Sequence, residues 1–274
     1  VFSSGSSGTG IFFVNNSCAS LTIYNVVLKG NALSPVNAGG AITNNTTLNV
    51  YSSYFLNNKA VTWGGAIYSG SALDRTNNLS IINSVFEGNQ STGAYLNTGG
   101  GAIATQYGSS LSVECSSFKN NYSRNVGGAF YFFADSGAIT FKHLLTSGAV
   151  DPTLSNNFET NTATNGWGGF YSLPAVDATN QYWNPAPSTV AGNANSVFGI
   201  SFTPTLSSAV QPNPPNSNCA LPSVALAAVN AQLQFYGVTV TGDWNGLEQD
   251  VLDAVVITGQ ALAAQSTGND LPQD

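Results

Sequence analysis

Short runs in which a large apolar residue alternates with a small polar one recur along the chain: Leu21-Thr22-Ile23, Leu48-Asn49-Val50, Leu79-Ser80-Ile81 and Leu111-Ser112-Val113. A period of two sends the outer residues to one face and the Ser, Thr or Asn to the other, which predicts a short strand at each. Ile139-Thr140-Phe141 reads as a fifth, with a longer excursion after it. An apolar anchor comes next in each unit, followed three positions later by Asn: Leu28 with Asn31, Phe55 with Asn58, Phe86 with Asn89, Phe118 with Asn121 and Phe158 with Asn161. A glycine pair and another apolar run then close the unit, at Gly39-Gly40-Ala41-Ile42, Gly64-Gly65-Ala66-Ile67, Gly100-Gly101-Ala102-Ile103, Gly127-Gly128-Ala129-Phe130 and Gly168-Gly169-Phe170.

Units of about 25 to 40 residues repeated in this way predict a solenoid, in which each turn buries its apolar face against its neighbours. Each unit reads as three short strands that pair in parallel with the next turn. The expected fold is all-β, a right-handed parallel β-helix over residues 1–210. The Asn after each anchor suits a left-handed backbone, and Asn31, Asn58, Asn89, Asn121 and Asn161 are expected to stack as an internal amide ladder. The glycine pairs permit close backbone approach. Ser69 to Asn77, Gln90 to Thr98 and Thr146 to Ser155 are the expected loop insertions.

The Gly-Gly-Ala-Ile and Phe-x-x-Asn phrases together resemble the polymorphic outer-membrane protein repeats of chlamydial surface adhesins and other bacterial surface proteins. That resemblance covers about residues 1–172 and implies a β-helix displayed at a cell surface. Within 176–206, Tyr182-Trp183-Asn184-Pro185 and Pro204-Thr205-Leu206 resemble the segment that often closes bacterial β-helix domains, with Asn184 in place of a glycine. The resemblance implies a cap built on Tyr182 and Trp183.

Beyond the cap, 211–220 is a Pro/Asn-rich linker. Residues 221–274 read as a small α/β extension: a strand over Leu233 to Val240, then an amphipathic helix whose face carries Leu247, Val251, Ala254, Val255, Thr258 and Leu262. So short a segment cannot form an independent core; it packs on the β-helix, meets a partner or begins a further domain. Val1, the absence of Met and the want of a basic leader make the chain read as a mature product or a fragment of a secreted protein.

Charge narrows the partners. Only 7% of residues are charged and the net charge is -7, with six Lys plus Arg, so a phosphate backbone finds no basic footprint and nucleic acid is excluded. No apolar stretch reaches the roughly 20 residues of a membrane-spanning helix. Cys18, Cys115 and Cys219 have no metal-ligand spacing; Cys18 and Cys115 fall in different turns, too far apart for one bond, and inert thiols are expected, the alternative being that Cys219 pairs with one of the others or with another chain. No metal or cofactor is expected.

Catalytic candidates are sparse. Glu114 with Lys142 and His143 is the one acid beside a basic pair in the strand register, and an ion pair between adjacent turns accounts for it. Glu87, Lys119 and Glu159 alternate in sign along one edge, and Asp74-Arg75 falls in a loop. The better candidates for binding are aromatic: Tyr24 and Tyr51 at matching outward positions, and Trp63 and Trp167 ahead of their glycine pairs. Packing under the corners is the competing account.

The sequence therefore favours a non-catalytic extracellular or cell-surface structural and adhesive module. Its expected partners are other copies of itself, as in a surface layer or filament, other surface proteins, or glycans. The alternatives are a glycan-binding or polysaccharide-degrading β-helix, and a processed passenger segment of a larger secreted protein.

Overall fold

The computed structural model describes residues 12–14, 20–24, 26–30, 36–70, 77–95, 97–141, 155–203 and 205–207. The first turn holds β1 (Phe12–Val14), β2 (Ser20–Tyr24), β3 (Val27–Lys29) and β4 (Val36–Ala38). The second holds β5 (Ile42–Asn44), β6 (Thr47–Tyr51), β7 (Tyr54–Leu56) and β8 (Lys59–Trp63), and the third β9 (Ile67–Ser69), β10 (Asn78–Ile82), β11 (Val85–Glu87) and β12 (Gln90–Ser91). In the fourth are β13 (Ile103–Thr105), β14 (Ser110–Glu114), β15 (Ser117–Lys119) and β16 (Tyr122–Ser123). The fifth has β17 (Phe130–Phe132), β18 (Ile139–Thr140), β19 (Asn157–Glu159) and β20 (Thr162–Ala163). Above it lie β21 (Phe170–Asp177), β22 (Tyr182–Asn184) and finally β23 (Val197–Ser201).

Strands in corresponding places pair in parallel from turn to turn and build four sheets, of seven, five, six and five strands. We call these sheets A, B, C and D in chain order. The described residues form a parallel β-helix. Its turns have four strands rather than the expected three. The additional strand, in sheet D, lies between the Asn and the glycine pair and is as short as Gln90–Ser91. Its inward residues are small, Ala60, Ser91, Ser123 and Ala163, so it shows no alternation of large apolar residues to read. Gln90 and Ser91 thus leave the expected loop and join the ladder, while 71–76 and 142–154 lie outside the described residues, as do the linker and the 221–274 extension.

Inward columns fill the interior. Leu28, Phe55, Phe86, Phe118, Phe158 and Trp183 share one register position of sheet C. Successive rings stack, with Phe55 and Phe86 centroids 4.5 Å apart and Phe86 and Phe118 4.9 Å, and Trp183 lies tilted over Phe158 at 4.5 Å. Opposite them, Ile42, Ile67, Ile103, Phe130 and Phe170 form the inner column of sheet A. Each fully buried ring contributes about 1.5–3 kcal/mol over an exposed one, and the shared register makes each turn the floor of the next.

Corners are set by backbone conformation. The left-handed residue after each of the first five sheet C strands is the one before the expected Asn: Gly30, Asn57, Gly88, Asn120 and Thr160, with φ of 48° to 67°. Among the described residues Asn58, Asn89, Asn121 and Asn161 keep an ordinary φ and turn inward. At the glycine pair the first member, Gly100, has φ +70°. A Cβ on the second, Gly101, would sit 2.1 Å from the Gly128 carbonyl oxygen of the next turn. One glycine therefore serves the bend and the other the stacking distance.

Candidate binding surface

The described Asn positions face inward and bond one another from turn to turn. In Asn58 the backbone N–H and Nδ2 both donate to Asn89 Oδ1, at 3.0 Å each. Asn89 does the same to Asn121 at 3.0 Å, and Asn121 to Asn161 at 3.1 and 2.9 Å. The remaining Nδ2 hydrogen goes to a sheet C carbonyl, that of Leu28, Phe55 or Phe86. Asn161 extends the ladder to Asn195, at 3.0 and 3.2 Å. Asn195 follows no Phe-x-x-Asn phrase, which is why the sequence did not mark it. Asn31 lies outside the described residues.

A second internal ladder runs along the B/C corner. Backbone N–H groups of Ser53, Ser84, Ser116 and Asn156 donate in turn to Ser84 Oγ, Ser116 Oγ, Asn156 Oδ1 and Gln181 Oε1. All these residues are buried. Buried and mutually bonded, both ladders are framework, and any binding chemistry must sit outside.

Trp63 and Trp167 belong to one external aromatic belt where sheet D turns into sheet A. The outward position of sheet A carries Thr43, Tyr68, Ala104, Tyr131, Tyr171 and Phe198 in register. Beside it stand Trp63, Gly99 and Val126, joined by parallel bridges. Trp63 packs on Tyr68 at 5.6 Å and on the edge of Phe133 at 5.8 Å, and Phe133 lies 4.3 Å from Tyr131. Gly99 leaves room for the Tyr131 ring, whose Cδ1 would lie 3.0 Å from a Cβ there. At the far end Trp167 meets Tyr171 at 5.5 Å and Phe198 at 4.9 Å.

Exposure divides the belt. Tyr68 and Tyr131 are 7% and 3% exposed. Tyr68 donates from its hydroxyl to Gln106 Oε1 at 3.1 Å. Burial, with a smaller contribution from nearby Tyr171, pushes the Tyr131 hydroxyl up to about 12, and burial likewise raises that of Tyr68. Phe198 and Leu173, by contrast, are 42% and 47% exposed. The belt is thus closed over its middle turns and open at its C-terminal end, around Trp167, Tyr171, Phe198 and Leu173. Its sequence signal was the Tyr of Gly-Gly-Ala-Ile-Tyr68, Gly-Gly-Ala-Phe-Tyr131 and Gly-Gly-Phe-Tyr171, which recurs at one outward position.

Tyr24 and Tyr51 are elsewhere, on the outer face of sheet B at its C-side edge. Their rings stack on each other at 4.7 Å and 18°, and Ile82 and Glu114 continue the column. Burial and then Tyr51 push the Tyr24 hydroxyl up to about 12; burial and then Glu114 raise that of Tyr51. Tyr182 points outward, while Trp183 continues the inward Phe column and touches Phe170 at 5.3 Å. Glu87, Lys119 and Glu159 do share a column. Lys142, His143, Asp74 and Arg75 lie outside the described residues.

Cys115 corrects the favoured expectation of an inert thiol: it is disulfide-bonded. It occupies the B/C corner with φ 50°, one turn above Asn83 and two above Ser52, and it is fully buried. Its partner, Cys18 or Cys219, falls outside the described residues. Among the described residues no three His, Cys, Asp or Glu side chains gather where they could hold a metal, and no helix is long and apolar enough to cross a membrane.

The geometry of two consecutive turns corresponds to a known pattern. Residues 52–70 and 83–106 match the Chlamydia polymorphic membrane protein repeat. Each match starts at equivalent corner residues, Ser52 and Asn83, and runs through sheets C, D and A. The repeat unit therefore contains the Phe column, the Asn ladder and the glycine pair, and it leaves out sheet B. The chain carries repeats of a membrane-protein type. No curated protein and no solved structure gives a significant match to it.

Proposed function

We propose that this chain is a non-catalytic module displayed at a cell surface, where its stacked turns provide length, rigidity and lateral area for adhesion. The repeat match in consecutive turns carries this reading. The Cys115 disulfide supports it, because such bonds form and persist in oxidising compartments outside the cytosol. The residues that recur from turn to turn are engaged in packing and internal hydrogen bonds, so contact with partners falls to the outer faces. The open end of the aromatic belt is the patch for that contact, with glycans, other surface proteins or further copies of the chain as its partners.

Beads coated with the purified chain provide the test. They are expected to be retained on epithelial monolayers or on a glycan array, and retention is expected to fall at least several-fold with Trp167→Ala plus Phe198→Ser. Retention indifferent to these substitutions would remove the patch from the reading. Release of new reducing ends from a polysaccharide panel would overturn the non-catalytic assignment and favour a polysaccharide-degrading β-helix.

A further inference from the structure

We infer that Cys115 is bonded to Cys219, so that the C-terminal segment is tied back to the flank of the fourth turn, and that the apolar stretch after Cys219 covers the Tyr24–Tyr51–Ile82 column.

The chain has three cysteines, and one end of the bond is fixed at Cys115. Chain geometry excludes Cys18. Ser20, two residues after it, is separated from Ser110 by three ladder spacings, through Thr47 and Asn78. At about 4.8 Å per spacing this amounts to ~14 Å along the solenoid axis. Cys115 lies five residues further along the strand and across the axis, another ~16 Å, so Ser20 and Cys115 are ~21 Å apart on the diagonal. Two residues of chain bring Cys18 at most ~7.6 Å nearer, whereas disulfide-bonded Cα atoms lie within about 7 Å.

Cys219 meets the same requirement easily. Leu206 bridges Tyr182 at the sheet C position of the last turn, and from there to β15 is again three spacings, ~14 Å. Between Ser207 and Cys219 the chain can span up to ~40 Å, and the sequence there, Gln211-Pro212-Asn213-Pro214-Pro215-Asn216, favours an extended course.

The bond also decides what lies against the flank. Tyr24, Tyr51, Ile82 and Glu114 end their strands immediately before the corner that holds Ser52, Asn83 and Cys115. The residues that follow Cys219 are Ala220-Leu221-Pro222-Ser223-Val224-Ala225-Leu226-Ala227-Ala228-Val229, almost wholly apolar. Cys115 directly follows Glu114, from which Ile82 is one ladder spacing away and Tyr51 two. A stretch of this composition gains by leaving water, and the tether raises its effective concentration at the column above that of any separate partner.

Peptide mapping of the unreduced full chain after chymotrypsin digestion tests the bond. The expected product is a Cys115 peptide joined to a Cys219 peptide and separated by reductant; a Cys115 peptide joined to Cys18, or carrying a free thiol, overturns the inference. Tyrosine nitration tests the covering, with Tyr95, 75% exposed, as the internal reference. Cys219→Ser is expected to raise the nitration rate of Tyr51 several-fold relative to Tyr95. An unchanged Tyr51 rate in a variant that keeps the native circular dichroism overturns the covering, and it would return the column to the surface as a site for a separate partner.

Discussion

The interior columns and the external aromatic belt are built on the same turns, yet they obey different rules. Inside sheet C, turn after turn places Phe at one position and Asn three residues later, because each must fit the identical group above and below. Outside sheet A, the equivalent position changes from Thr43 to Tyr68, Ala104, Tyr131, Tyr171 and Phe198. An outward side chain has no copy of itself to match. The framework is thus fixed by repetition, and whatever distinguishes this chain from another with the same repeat is written on the outer faces.

The sharpest break of that contrast is Gly101→Ala. Its Cβ would meet backbone rather than a movable side chain, and the loss is expected to be about 4 kcal/mol or more, read as failure to fold or as a collapsed urea midpoint. Phe118→Ala removes a ring stacked on both neighbours and should cost about 3–5 kcal/mol by the same measurement. Asn121→Ala leaves the Asn89 N–H and the Phe86 carbonyl without their partners; about 2–3 kcal/mol is expected.

Alkali probes the outer columns without mutation. Folding holds the Tyr24 and Tyr131 hydroxyls protonated up to about 12, whereas an exposed tyrosine ionises near 10. Between these values the unfolded chain binds fewer protons than the folded one, so stability is full below pH 10 and falls as pH rises towards 12. Denaturant midpoints at pH 8 to 11.5 should show this decline, and Tyr131→Phe should flatten it. The smallest effect belongs to Phe198→Ser at the open end of the belt, where the ring packs on Trp167 and Tyr171 but is 42% exposed, and stability should fall by about 1 kcal/mol. Adhesion of coated beads, more than the melting curve, is where that substitution should register.

The sequence declared the parts of the fold that are both large and repeated. Leu-x-Ile, Phe and the glycine pair each leave a visible period, and three of the four sheets follow from them. Sheet D leaves no such period, because Ala60, Ser91, Ser123 and Ala163 suit a tight interior and a loop equally well. The left-handed corner falls one residue before the recurring Asn, since that Asn serves the ladder and the bend tolerates Gly, Asn or Thr. On the outside, Trp63 and Trp167 stand out by their place ahead of the glycine pairs, whereas Tyr68 and Tyr131 alternate with Ala104 at their register position and leave no regular period. The bond at Cys115 left no trace of spacing, because a disulfide joins residues by position in space.

The direction in which the turns are joined has a mechanical consequence. Ladder bonds, amide ladders and ring stacks all run along the solenoid axis, so the boundaries between turns are coupled in series, like links of a chain rather than strands of a rope. Tension along that axis is borne in full by every boundary. Its limit is therefore set by the weakest boundary and does not rise as turns are added: more repeats extend the reach of such a module while leaving its breaking force where it was.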